Sequence, residues 1–180
     1  FFFHPHAAIP DPLWSRGLGD VYKRQLMCSK WKGLYVASVF TEIINGNLPA
    51  HAIWRDEECV SFLSINPISN GHCLVVPIDE VDHWVDLPSD KVGHLLEVAS
   101  IIGQSQMRAF NPNRIGQMIA GFEVPHTHLH VLPINDMADL DFRNATSNVD
   151  HRQLAEYAKL IRNNIHASRL DNVVESFVIQ

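Results

Sequence analysis

Two rhythms of apolar and polar residues run along this chain, and each predicts its own kind of element. Val39, Phe40, Ile43 and Ile44 recur at helical spacing, predicting a short helix over 36–44 that Asn45-Gly46 ends. Three short runs, 51–55, 59–63 and 72–76, read as strands separated by Asp56-Glu57-Glu58 and by Asn66-Pro67-Ile68-Ser69-Asn70-Gly71. Short strands with short connections predict an antiparallel meander. The helical rhythm returns with Val92, Leu95, Leu96, Ala99, Ile102, Met107 and Phe110, a stripe capped by Ser89 or Asp90 and stopped at Asn111-Pro112. Residues 114–120 read as a further strand, followed by the alternation His126-Thr127-His128-Leu129-His130-Val131-Leu132. Asp150 with Gln153 opens a last amphipathic helix carrying Leu154, Tyr157, Ala158, Ile161 and Ile165. Periodicity then weakens, and 167–180 reads as a tail.

Composition narrows the class. The chain has 180 residues, which predicts one principal domain able to bury its own core. Its three cysteines, Cys28, Cys59 and Cys73, are odd in number and scattered, which argues against a disulfide framework and for a reducing, cytoplasmic setting. No apolar run has the length of a membrane span, and the formal charge of −6 argues against nonspecific nucleic-acid binding. Residues 1–26 lack any rhythm, and the string from Asp11 to Gln25 reads like translated adaptor DNA, so this segment is expected to be a non-native or disordered leader. Removing it leaves the acidic balance intact: it holds Arg16, Lys23 and Arg24 against Asp11 and Asp20, and the remaining 11 basic and 18 acidic residues give −7. The expected organisation is a principal domain over 34–142 and a C-terminal helix over 150–166.

Chemistry concentrates in the alternating stretch. In an extended strand, side chains point to opposite faces by turns, so His126, His128 and His130 share one face while Thr127, Leu129 and Val131 share the other. Each imidazole carries nitrogens that must be hydrogen-bonded if buried, which makes three of them poor core material. The alternation admits three readings: a chance cluster, a metal site, and nucleophilic catalysis. At about 3.3 Å per residue, His126 and His130 stand about 13 Å apart, too far for all three to meet one tetrahedral ion. The favoured reading is therefore catalysis by the central His128, with its neighbours fixing its tautomer.

At His126-x-His128-x-His130, followed by two apolar residues, the chain resembles the histidine-triad hydrolases and transferases of nucleotides. The resemblance runs from about Val39 to Phe142 and includes Phe62-Leu63-Ser64-Ile65-Asn66-Pro67 and Gly71-His72-Cys73-Leu74-Val75-Val76-Pro77. The version Glu123-Val124-Pro125-His126 is similar to a bacterial branch. The likeness implies an α+β fold, with an antiparallel sheet of about five strands, a long helix and a shorter N-terminal one, in a homodimer. It also implies that His128 attacks the α-phosphorus of a purine nucleotide or nucleotide conjugate, helped by His126 and His130. By position Val39, Phe40, Ile43, Phe62, Ser64, Ile65 and Glu123 would meet the nucleotide, and no cofactor is required. His72 is expected to be a hydrogen-bonded structural residue. The chain departs from the family at Ser64, where relatives place Asp on the ribose, and at Phe122-Glu123, where relatives have Gln then Ser or Thr. It also has Ser38 and Thr41 where many relatives carry two zinc-binding cysteines, so no structural zinc is expected. Two alternatives share these features: a nucleotide-binding protein without turnover, and a metal-dependent hydrolase using the His cluster.

Overall fold

A strand that alternates apolar and polar positions needs its neighbours in register, and the antiparallel meander supplies them. The computed structural model describes residues 37–177. Its strands are β1 (Ala52–Arg55), β2 (Cys59–Leu63), β3 (Cys73–Pro77), β4 (Arg114–Met118) and β5 (Leu129–Ile134), and its helices are α1 (Val39–Ile44), α2 (Ser89–Phe110) and α3 (His151–Asn163). The strands form one antiparallel sheet in the order β1-β2-β3-β5-β4, an α+β architecture. β5, whose entry carries the histidines, lies inside the sheet: His130 stands opposite Leu74 on one side and Met118 on the other.

Both faces are covered, and each has its own apolar cluster. On one face Ile53, Leu63, Val75, Leu129 and Val131 pack under Leu95, Val98, Ala99 and Ile102 of α2 and Leu154, Ala158 and Ile161 of α3. On the other, Phe40 and Ile44 of α1 meet Ala52, Val60, Phe62, Leu74 and Val76. Of the residues beyond 166, Val174 and Phe177 join this second face and Val173 packs on the first. Ala167–Asn172 forms a 3-10 helix, the Val174 amide donates to the Ile53 carbonyl at 3.1 Å, and Phe177 packs edge-on to Phe62. The leader expected over 1–26, and the last three residues of the expected tail, lie outside the described residues.

Details of α2 differ from the sequence expectation. Pro88, not Ser89 or Asp90, occupies the N-cap position, with φ −55° and ψ 143° and without a side-chain cap. Proline's ring sets the approach, so Ser89 is already helical and the helix starts with its amides open. Leu96 and Met107, counted in the apolar stripe, are 46% and 40% exposed, whereas Ser105 and Gln106 are fully buried. Gln106 is tolerated there because its side-chain amide Nε2 donates to the Gly71 and Val131 carbonyls at 2.8 and 2.9 Å. Gly71 itself is required. Its φ of +82° suits glycine, and a Cβ there would lie 2.3 Å from the Phe110 ring. This places the next residue, His72, at the mouth of β3. No helix among the described residues is long and apolar enough to cross a membrane.

Candidate active site

The extended segment that delivers the triad is anchored before the regular strand begins. β5 starts at Leu129, so only His130 lies within it, and His126 and His128 belong to its approach. Thr127 holds that approach, with its amide and hydroxyl both donating to the Val81 carbonyl, at 2.7 and 2.9 Å. The three rings nonetheless collect on one side. Phe40 stands edge-on to His128 and His126, at centroid distances of 5.0 and 5.9 Å, and His128 lies 4.9 Å from His130. All three are buried, with 0%, 6% and 9% of the surface of His126, His128 and His130 exposed.

Burial lowers the pKa of each imidazole, because a charged ring would lose its hydration. For His128 desolvation dominates over the opposing hydrogen bond to the His126 carbonyl. His126 is lowered the same way, against the pull of the Pro77 carbonyl and the Glu80 charge. His130 is pushed down to about 2 by desolvation and by its neighbours His72 and His128, and His72 to about 4 by desolvation and His128. At neutral pH all four rings are uncharged.

For neutral rings, partners that only donate or only accept assign each proton. The Ile68 amide must donate, at 3.1 Å, so Nδ1 of His72 is bare and its proton sits on Nε2. That proton points to His130 Nδ1, 3.0 Å away, which leaves the proton of His130 on Nε2. The Pro77 carbonyl must accept, so His126 is protonated on Nε2, at 2.9 Å, and its Nδ1 takes the Ser38 hydroxyl at 2.7 Å. The His126 carbonyl then accepts from His128 Nδ1 at 2.8 Å, and the lone pair of His128 falls on Nε2. One ring thus carries a nucleophilic nitrogen and the ring beside it a hydrogen-bond donor.

Ser38, which caps α1 by accepting from the Thr41 amide, ties that helix to His126. Glu80 closes the group by accepting from the Ser38 amide at 2.8 Å and from the Thr41 hydroxyl. Two neutral hydroxyls already engaged in this way do not fit the donor set of a thiolate zinc site.

His128 lines a small cleft of about 40 Å³ together with Asp82, His83, Trp84, Ile119, Ala120, Gly121 and Thr127. Gly121 has φ +78°, and the space around its Cβ position is open to 4 Å. The other residues expected at the site divide. Phe40 and Phe62 stand 5.7 Å apart beside the triad, with Val39 and Ile43 packed on the same cluster. Ser64 is buried at the end of β2, where its hydroxyl accepts from the Asn66 amide at 3.2 Å. Ile65 and Glu123 are exposed to solvent, as is Phe122 at 96%. Sequence reasoning missed two neighbours. Phe142 stands edge-on to His130 at 4.9 Å, and Ser38 serves as the partner of His126. The position of Ser38 just before an apolar helix signals a cap, but its second bond spans 88 residues and leaves no local trace.

Comparison with known proteins bears on the same residues. The HIT domain family matches residues 45–137. An uncharacterized HIT-like protein of Methanocaldococcus jannaschii is 31% identical over 99 residues, which span 53% of this chain and 77% of that protein. Adenosine 5'-monophosphoramidase HNT1 of Saccharomyces cerevisiae is 26% identical over 104 residues, 57% of this chain and 66% of that protein. The crystal structure of a Zn-bound histidine triad family protein from Mycobacterium smegmatis aligns at a TM-score of 0.63 and 28% identity, covering 75% of this chain and 96% of that one.

Proposed function

Because the chain belongs to the HIT domain family, we propose that it is a nucleotidyl hydrolase or transferase acting on purine nucleotide conjugates through a covalent nucleotidyl-histidine on His128. The bond broken is a phosphoramidate or phosphoanhydride at the α-phosphate. The observation that carries this reading is the 2.8 Å hydrogen bond from His128 Nδ1 to the His126 carbonyl, which puts the lone pair on Nε2 of a neutral ring beside the cleft. Nε2 attacks phosphorus, the P–N bond forms as the bond to the leaving group breaks, and that group departs with the electron pair and, where it is an amine, takes up a proton from solvent. Water then attacks the same phosphorus, opens the P–N bond and releases the nucleoside monophosphate. His130, protonated on Nε2, donates to an oxygen on phosphorus. Phe40 and Phe62 offer the apolar wall for the base. The phosphoramidase relative supports an adenosine phosphoramidate as the first substrate to assay.

The test is to quench turnover of adenosine 5'-phosphoramidate labelled at phosphorus. An acid-labile, alkali-stable adenylyl adduct is expected on the wild-type protein and not on His128→Ala. An adduct that persists in His128→Ala, or none during measured turnover, overturns the mechanism.

His72 acts through its neighbour. It touches no substrate in this mechanism but holds the proton of His130 on Nε2. His72→Asn is expected to lower kcat about 10- to 100-fold with KM little changed. Nitrogen-15 spectra of the imidazoles separate this role from simple packing: His130 should become a mixture of tautomers in the variant. Unchanged spectra with reduced activity would exclude a tautomer role.

The same reading places the protein in a homodimer. β4 is an edge strand, and Leu96 and Met107 are apolar and exposed on α2. Sedimentation equilibrium should give twice the 20.4 kDa of one chain, and Met107→Glu should shift the population toward the single chain. A single-chain mass at micromolar concentration rejects the dimer.

A further inference from the structure

We propose that Asp56, Cys59 and His94 form a binding site for a zinc-type divalent cation, outside the histidine triad, that ties the turn between β1 and β2 to helix α2. One carboxylate oxygen, one sulfur and one ring nitrogen from these residues all lie within 4.8 Å of one another. Asp56 Oδ2 is 2.9 Å from His94 Nε2 and 3.7 Å from Cys59 Sγ. A tetrahedral zinc ion, with O and N at about 2.0 Å and S at about 2.3 Å, spaces its ligand atoms by about 3.3 Å for O and N and about 3.5 Å for O and S. The O–N and O–S spacings are each within a few tenths of an ångström of that geometry, and the nitrogen and sulfur lie within 4.8 Å of one another.

The backbone holds the ligands in place without the ion. Asp56 Oδ1 accepts from the Glu58 and Cys59 amides, both at 2.8 Å, which fixes the turn and brings Asp56 and Cys59 to one side. Trp54 Nε1 donates to Oδ2 at 2.7 Å, the kind of outer hydrogen bond that orients a metal-binding carboxylate.

The site is sheltered yet open on one side. Cys59 is fully buried, with its sulfur beside Asp56 Oδ2. Lys91, one turn earlier on α2, is bonded instead to Asp79. The side chains of Asp56 and His94 remain 13% and 32% exposed, so the site opens to solvent on the His94 side and a water can complete the coordination. On binding, sulfur and His94 Nε2 bond to the ion, the thiol proton leaves to solvent, and the bound imidazole keeps its proton on Nδ1.

Cobalt(II) is the probe, because a cobalt–thiolate bond absorbs in the near ultraviolet. The chelator-treated full chain should bind one equivalent of Co²⁺ with that band, and Zn²⁺ should displace it. His94→Ala, at a partly exposed helical position, should weaken binding at least about tenfold, since even residues that only orient a ligand contribute about 10- to 100-fold. Cys59→Ser should remove the band, and His128→Ala should keep it. No thiolate band in the wild type, a band that survives Cys59→Ser, binding unchanged in His94→Ala, or a band lost in His128→Ala would each overturn the proposal. The His94 variant keeps the test decisive if loss of the buried thiol unfolds the chain.

Discussion

His128→Ala is expected to lower kcat for adenosine 5'-phosphoramidate by about four orders of magnitude, or about 5.4 kcal/mol of transition-state stabilisation. The size follows from the role. Without Nε2 the covalent route closes altogether, and what remains is uncatalysed attack by water near the His130 donor. The apolar wall of Phe40 and Phe62 stays, so KM should change far less than kcat. The ring is 6% exposed, so its removal also opens a cavity under Phe40, and the folded fraction must be checked by circular dichroism at the assay temperature. A loss of less than tenfold in a folded variant would mean that another group attacks phosphorus.

Acidification from pH 8 to pH 5 is expected to reduce folding stability by about 4 kcal/mol. Burial in the fold lowers His72 to about 4 and His130 to about 2. Unfolded, each titrates near 6.5. The sign follows: below that value the unfolded chain takes up protons that the folded chain refuses, so stability is complete above about pH 6.5 and falls as pH drops. At pH 5 each ring contributes about 2 kcal/mol of loss. His126 and His128 are lowered in the same direction and can only deepen the effect. Urea denaturation at constant ionic strength between pH 8 and pH 5 measures it. A flat stability profile would show that these rings take up a second proton in the fold as readily as when unfolded, and the assigned tautomers would fall with it.

The two forecasts draw on different depths of the chain. That His126, His128 and His130 face one way follows from a period of two, a property of any extended backbone, and it was legible without coordinates. So were the strands themselves, because runs such as Cys59-Val60-Ser61-Phe62-Leu63 sit between residues that favour turns. Helix α2 was legible as a helix but not in its rotation. Leu96 and Met107 read as core by type, yet Gln106 is buried in their stead because two carbonyls, of Gly71 and Val131, need its amide. Hydrophobic type is a property of one residue, whereas burial depends on what faces it.

Local order in this protein is thus written in neighbouring residues: element type, the alternation of the imidazoles, the glycine before His72. The protonation of the site is not, since it depends on the Ile68 amide, the Pro77 carbonyl and the Ser38 hydroxyl, which reach the rings only once the sheet has closed. The meeting of Asp56 with His94 across 38 residues is of the same kind. Backbone periodicity acts over a few bonds and can be read along the chain, whereas a hydrogen bond acts over about 3 Å of space and is decided only when tertiary packing brings distant residues that close.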